Sequence, residues 1–394
     1  MPQSIAITPA VHRAVAGMRR TIVIATTAFL TLIDLFAAQA VLPSLVEAYQ
    51  VSPAVMGLAV NACTLGMAIA SLVVALLSAR IDRRIGIVVA LCILAVPTVL
   101  LGFAPDIFSF AALRIVQGLC MAAAFTLMLA YIGENCASAV ASSAFAAYIV
   151  GNVGSNLFGR IASAALVDHF GLQFNFAMLA LLNLAGAALV LVTIRSARRP
   201  AMTYAVGGGW AGVRKVLSRP ELRAGFLIGF CILFAFIGTF TFVNFILVRP
   251  PLALAPMELG YIYLVFAPSL ATTLFAGTFV QAFGTQRSLL LGLAVAAAGL
   301  PMLLAERVDV VLLGLTLVAI GTFFAQAVAS GYVGSRSGDE RGAASGLYLA
   351  AYFSGGLVGT AVLGFVFQNF GWPACIAGIG AAIGVAAVTS RALR

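Results

Sequence analysis

The sequence predicts an all-α membrane protein with twelve transmembrane helices in two pseudo-symmetric six-helix bundles. Three observations predict it. Of 394 residues, 63% are hydrophobic and only 9% are charged, against about 25% charged in a soluble domain. The apolar residues fall in long runs, with the bases gathered in every second loop. The halves also repeat at an offset near 200 residues: Tyr148 matches Tyr348, Leu157 matches Leu357, Gly159 matches Gly359, and Phe170-Gly171 matches Phe370-Gly371.

A span takes about 20 apolar residues. Twelve fit, at 21–44, 53–79, 85–104, 107–132, 139–167, 173–194, 223–248, 257–281, 287–305, 309–332, 342–367 and 373–390. Polar or Gly/Pro segments separate them, such as Arg80–Arg84, Pro105–Asp106, Asp168–Gly171, Arg249–Pro251 and Glu306–Asp309. Long apolar runs exclude an outer-membrane barrel, whose strands alternate in polarity over about 10 residues. The chain divides into a cytoplasmic tail (1–20), an N-terminal six-helix bundle (21–194), a cytoplasmic central loop (195–222) and a C-terminal six-helix bundle (223–394). In the loop, Trp210, Val213, Val216 and Leu217 recur at helical spacing opposite Arg214, Lys215 and Arg219, as in a short helix on the inner leaflet. Ala38-Gln39-Ala40 has the form of a signal-peptidase site. Asp34 interrupts the apolar stretch before it, and cleavage would leave an odd number of spans, so we read it as part of the first span.

With the N-terminus inside, the inner segments hold Arg13, Arg19, Arg20, Arg80, Arg83, Arg84, Arg195, Arg198, Arg199, Arg214, Lys215, Arg219, Arg223, Arg287, Arg336, Arg341, Arg391 and Arg394. These are 18 of the 22 bases, and the outer loops hold two, Arg249 and Arg307. The positive-inside rule then places both termini in the cytoplasm of a cell inner membrane. It explains the net charge of +10 as topology and contact with an anionic inner leaflet, and no nucleic-acid partner is expected.

Several enzyme classes fall away. The single lysine, Lys215, follows Val213 and Arg214, so no Gly-Lys pair exists for a Walker A loop. His12 and His169 are far apart, and Cys63, Cys92, Cys120, Cys136, Cys231 and Cys375 show no C-x-x-C spacing. The cysteines read as small hydrophobes. Gly207, Gly209 and Gly212 fit G-x-G-x-x-G but follow no strand, so they read as linker. No metal or cofactor is expected, and the protein is not read as an enzyme.

Four segments resemble the major facilitator superfamily. Ser78-Ala-Arg-Ile-Asp82-Arg83-Arg84-Ile85-Gly86 resembles its G-x-x-x-D-R-x-G-R-R loop, with departures at Ser78, Ile85 and Gly86. A second copy runs from Gly277 through Gln281 and Gly284 to Arg287. Arg114-x-x-Gln117-Gly118 matches the R-x-x-Q-G motif of the fourth helix. The run Gly151-Asn152-Val153-Gly154-Ser155-Asn156-Leu157-Phe158-Gly159-Arg160 is similar to the fifth-helix motif of the drug:proton antiporter group, most like its YnfM-type branch. The resemblance implies alternating access, protons and a small-molecule substrate as partners, and a functional monomer.

The residues expected to act are the costly ones. A lone acid at the bilayer centre costs roughly 2.5–3.5 kcal/mol on insertion scales, which suits a proton carrier at Asp34. The family resemblance adds Arg114 as an aid to proton coupling, with Gln117 one turn on holding it or a water. Arg160 demands partners. It is read as binding an anionic substrate group, as sharing Asp34, or as a structural arginine between helices. Asn156, Asn244, Phe234, Tyr348 and Tyr352 are further substrate candidates. The last four belong to a polar and aromatic set of the C-terminal half that includes Phe230, Phe240, Tyr261, Phe266, Phe323 and Gln326. Asp82, Arg83, Arg84 and Glu134 form a candidate cytoplasmic gate, Asp82 facing the positive N-terminus of the eleventh helix. Gly151, Gly154, Gly159, Gly355 and Gly359 are expected to pack helices closely.

The expected function is proton-coupled efflux of a small amphipathic or aromatic compound. An uptake symporter for an organic anion or sugar is the alternative, and a non-transporting receptor or lipid-handling protein is the alternative of another class.

Overall fold

The computed structural model describes residues 9–77, 81–135, 138–194 and 210–393. The first eight residues, residues 78–80 with Arg80, Cys136, and Gly207 and Gly209 lie outside them, as does the side chain of Glu134. Among the described residues there is no strand. The helices are α1 (Pro9–Ala40), α2 (Leu42–Tyr49), α3 (Pro53–Asn61), α4 (Cys63–Leu77), α5 (Arg83–Leu101), α6 (Ile107–Asn135), α7 (Ser138–Thr193), α8 (Trp210–Leu217), α9 (Pro220–Leu247), α10 (Pro256–Ile262), α11 (Ala267–Leu274), α12 (Ala276–Phe283), α13 (Thr285–Gly299), α14 (Val308–Arg336) and α15 (Arg341–Thr389).

Nine described helical stretches are long and apolar enough to cross a membrane, and the bent pair Tyr263–Leu274 and Ala276–Phe283 makes a tenth crossing. Two of the nine, Ala147–Thr193 and Gly342–Leu393, span 47 and 52 residues, and each turns back on itself. Ser163 Oγ donates to Asn175 Oδ1 at 2.7 Å across 12 residues, whereas a straight helix of that length would run about 18 Å. Cys375 Sγ donates to the Leu363 carbonyl at 3.3 Å across the same separation. The turns lie at Gly171 (φ 82°) and Gly371 (φ 77°), a backbone region that favours glycine. Each long stretch therefore supplies two crossings, twelve in all among the described residues. An even number puts both termini at one end of the bundle. Gly171 and Gly371 are a pair from the sequence repeat, so the repeat is structural.

The repeat extends to packing. A Cβ on Gly151 would come within 2.1 Å of the Ala25 carbonyl on α1, and one on Gly355 within 2.1 Å of the Phe230 carbonyl on α9. Only hydrogen fits there, so α7 lies against α1 as α15 lies against α9. Gly159 and Gly359 continue the two seams, each with 2.9 Å of room, against Ile33 and Phe234. Gly154 has ordinary van der Waals space, 3.7 Å from Phe29.

Local chemistry sets the helix starts. Ser52 caps α3 by accepting from Val55 N–H at 3.3 Å, with Pro53 as first residue. Asp106 caps α6, accepting from the N–H groups of Phe108 and Ser109, both at 2.9 Å. The first span ends at Ala40 rather than 44, because α2 follows as a separate short helix that ends at Gln50 in the left-handed region (φ 52°). The expected second span is two helices, α3 and α4, broken at Ala62. Ile93, Val192 and Phe365 are exposed, as a lipid-facing surface requires. In α8, Val213 and Val216 are buried against the protein while Trp210 stays exposed. Its apolar face is thus shared between bundle and surroundings, and Lys215 pairs with Glu340 at 3.2 Å.

Candidate functional site

Arg114 and Asp34 come together in the N-terminal bundle, and both are wholly buried. The glycine of the R-x-x-Q-G motif makes this possible. A Cβ on Gly118 would lie 1.9 Å from the Cys63 carbonyl, so α6 runs in backbone contact with α4. One turn earlier, Arg114 reaches across the α3–α4 break: Nε donates to the Val60 carbonyl at 2.8 Å and Nη2 to Cys63 Sγ at 3.0 Å. Nη1 donates to Gln117 Oε1 at 2.6 Å and to the backbone carbonyl of Asp34 at 3.2 Å.

The Asp34 carboxylate has other company. Thr98 Oγ1 donates toward Oδ1 at 3.4 Å and to the Leu94 carbonyl at 2.8 Å. The same hydroxyl accepts from Gln117 Nε2 at 2.7 Å and from Asn183 Nδ2 at 3.3 Å. Asp34 Oδ2 is buried without a hydrogen-bond partner. Asp34, Arg114 and Gln117 are thus one cluster with Thr98 at its hub.

Arg160 does not share Asp34; it belongs to a second network that ties the two halves together. Its Nε donates to Asn156 Oδ1 at 2.7 Å, and its Nη2 donates to Gln39 Oε1. Gln39 Nε2 donates to Asn61 Oδ1 at 2.7 Å, and Asn61 Nδ2 donates to Thr241 Oγ1 of the C-terminal half at 3.0 Å. Asn244 Nδ2 donates to the Gln39 carbonyl at 3.0 Å, and Tyr263 donates to Asn244 Oδ1 at 2.5 Å. The guanidinium carbon lies 4.5 Å from the Tyr263 ring centre and 5.5–5.8 Å from those of Phe266, Phe36 and Phe240. These residues lie in the half of the bundle away from the chain termini, where the network joins the two halves.

A small cavity between the halves is lined by Leu32, Phe36, Phe125 and Asn152 on one side and Phe236, Phe323, Gln326 and Tyr352 on the other. Tyr352 stacks on Tyr348, ring centres 6.1 Å apart, and the Tyr348 hydroxyl is buried without a partner. Phe234 is half-buried beside Phe230, ring centres 6.4 Å apart. Of the sequence-predicted set, Tyr352, Phe323 and Gln326 line the cavity, whereas Asn156, Asn244 and Arg160 join the network above it. Tyr261 is 56% exposed and stands apart from both.

At the end of the bundle that carries the termini, Asp82 caps α5, accepting from Ile85 N–H at 2.9 Å. Arg83 Nη1 donates to the Ile81 carbonyl at 3.2 Å, and Arg84 Nη2 to the Leu191 carbonyl at 2.5 Å at the end of the sixth span.

Sequence reading missed Thr98, Asn183, Gln39, Asn61, Thr241 and Tyr263. Uncharged polar residues inside apolar runs were the available signal: Gln39, Asn61 and Asn183 each interrupt a span.

The comparisons with known proteins agree with this architecture. The family model described as Major Facilitator Superfamily matches residues 24–267. The chain is 25% identical over 346 residues to the uncharacterized MFS-type transporter YybF of Bacillus subtilis (strain 168), covering 87% of this chain and 85% of that one. It is 25% identical over 362 residues to the inner membrane transport protein YnfM of Escherichia coli (strain K12), covering 90% and 85%. Among solved structures, it resembles a bacterial homolog of the human lysosomal transporter Spinster in an inward-facing, unoccupied conformation, with TM-score 0.70, 15% identity and coverage of 96% and 94%. It resembles the human organic anion transporter MFSD10 (TETRAN) equally, with TM-score 0.70, 16% identity and coverage of 98% and 100%. At these identities the structural likeness is one of fold. With twelve crossings in two repeats and the matched family model, the chain belongs to the major facilitator superfamily and is a membrane transporter.

Proposed function

We propose that this transporter is a proton-coupled exporter of a small amphipathic or aromatic compound, working by alternating access between its two halves. The observation that carries the reading is the buried Asp34 carboxyl, one oxygen of which has no hydrogen-bond partner while the neighbouring arginine is spent on main-chain and side-chain acceptors. A carboxyl placed this way can take a proton without leaving a net charge in the apolar interior. In the state open to the outside Asp34 takes a proton. In the state open to the cytoplasm it releases the proton as the substrate enters the cavity between the halves.

Arg114 and Gln117 hold the cluster in shape on this reading, and the aromatic lining of the cavity supports an apolar or aromatic substrate. The bundles 21–194 and 223–394 rock about the loop 195–222, as a functional monomer in an inner membrane with both termini in the cytoplasm. Asp82, Arg83, Arg84 and Glu134 belong to the cytoplasmic gate. The polar network around Gln39, Arg160 and Asn244 is the opposite gate.

Vesicles of the two orientations test the direction. An exporter accumulates a transported compound in inverted vesicles whose lumen is acid, protons leaving the lumen as the compound enters from the cytoplasmic face. Accumulation in right-side-out vesicles under a proton gradient would instead establish the uptake symporter, and proton-independent binding without flux would establish a receptor.

A further inference from the structure

Asn152, Asn156 and Arg160 recur at every fourth residue of α7, so they stand one above another on a single helix face. The ladder climbs from the cavity between the halves, which Asn152 lines, to the aromatic cage around Arg160. Three of its buried atoms have no hydrogen-bond partner: Asn152 Oδ1, Asn156 Nδ2 and Arg160 Nη1. The upper two are donors, and they belong to side chains already joined, Arg160 Nε donating to Asn156 Oδ1 at 2.7 Å. Among the described residues no carboxylate lies within ion-pair distance of Arg160. The cage adds ring faces and the Tyr263 hydroxyl beside the guanidinium, and Nη1 is still left without a hydrogen-bond partner. A buried cation with an idle donor is costly. Among the described residues, the buried guanidiniums Arg114 and Arg160 stand against one carboxyl within the spans, Asp34, the other buried carboxyl, Glu340, being paired with Lys215.

Resting on the export reading, we infer that the carried compound is an amphipathic organic anion. Its acidic group is received by Arg160 Nη1 and Asn156 Nδ2. Its apolar body lies in the cavity against Phe36, Phe236, Phe323 and Tyr352. Phe36 belongs to both places, lining the cavity and lying 5.7 Å from the guanidinium carbon. The bound anion supplies the missing charge and competes with Gln39 for the guanidinium, so its arrival loosens the network that joins the halves.

The test is thermal unfolding of the purified full-length protein in detergent, with naphthoate, cinnamate and naphthalenesulfonate, each beside its uncharged amide or methyl ester. The anions stabilise the wild-type protein and bind at least about tenfold more tightly than the uncharged partners. Arg160→Gln removes the difference, Arg160→Lys keeps part of it, and Asn156→Ala weakens anion binding while leaving the amides unaffected. Equal stabilisation by anions and amides, stabilisation by none of the anions, or undiminished anion selectivity in Arg160→Gln would overturn the proposal. Should Arg160→Gln not fold, the wild-type series and Asn156→Ala decide. Asp34→Asn separates this proposal from the export reading. Anion binding intact in that variant with pH-driven transport also intact sinks proton coupling alone, and lost anion selectivity in the wild type sinks the anion site alone.

Discussion

Arg114 donates a hydrogen bond to the backbone carbonyl of Asp34, 3.2 Å away, and not to its carboxylate. A main-chain acceptor is indifferent to the protonation of the side chain. The arginine therefore stays anchored in both protonation states, and the carboxyl is left to Thr98 and Asn183.

The Thr98 hydroxyl has one proton and two acceptors, the Leu94 carbonyl at 2.8 Å and Asp34 Oδ1 at 3.4 Å. In the proposed cycle that proton turns to Asp34 when the acid is ionised and back to Leu94 when it is not. Thr98→Val is expected to slow substrate-driven proton flux in proteoliposomes by about tenfold, the worth of one hydrogen bond to a charged group. Thr98→Ser keeps the hydroxyl and most of the flux. Equal rates for the valine variant and the wild type would remove Thr98 from the pathway.

The glycine seams make a prediction about stability. Gly355→Ala puts a methyl 2.1 Å from the Phe230 carbonyl, which forces α15 off α9 and costs about 1–3 kcal/mol, the usual penalty of overpacking. Gly151→Ala does the same against Ala25. Gly154→Ala meets only an ordinary contact at 3.7 Å and is expected to leave the melting temperature in detergent unchanged. Melting curves of the three variants check the contrast.

Breaking the bridge between the halves is expected to open the end of the bundle away from the termini. Asn244→Ala loses the bonds to the Gln39 carbonyl and to Tyr263, worth about 0.5–1.5 kcal/mol each. Spin labels at Gln50 and Ala253, exposed at that end in opposite halves, should report a longer mean distance in this variant. An unchanged distance distribution would mean the network does not hold the halves.

The distribution of bases predicts orientation. A cysteine at Asp106, exposed before α6, should react with an impermeant thiol reagent in intact cells, and one at Arg391 only after permeabilisation. The reverse pattern would invert the topology and with it the assignment of the two gates.

Hydropathy and charge made the twelve crossings legible, because both follow from the bilayer acting as solvent. The turn at Gly171 and its twin at Gly371 were readable from the repeat as well. The partnering of the buried charges was not. Asp34 and Arg114 were visible as costly residues, but that the arginine would reach Val60, Cys63 and the Asp34 main chain depends on the α3–α4 break at Ala62 and on backbone contact at Gly118. Periodicity reports neither. Arg160 was legible as a charge in need of partners. The partners, Gln39 from the first span and Tyr263 from the eighth, meet it only through the crossing of helices far apart in the chain. The break in the eighth span between α11 and α12, bent by 45°, left no mark in the apolar pattern.

Proton coupling in the proposed cycle rests on Asp34. Its most direct test is Asp34→Asn in proteoliposomes, with pH-driven transport and substrate counterflow measured on the same preparation. The pH-driven component is expected to be lost while counterflow, which needs no net proton movement, persists. Transport that still follows the pH gradient at the wild-type rate would contradict it.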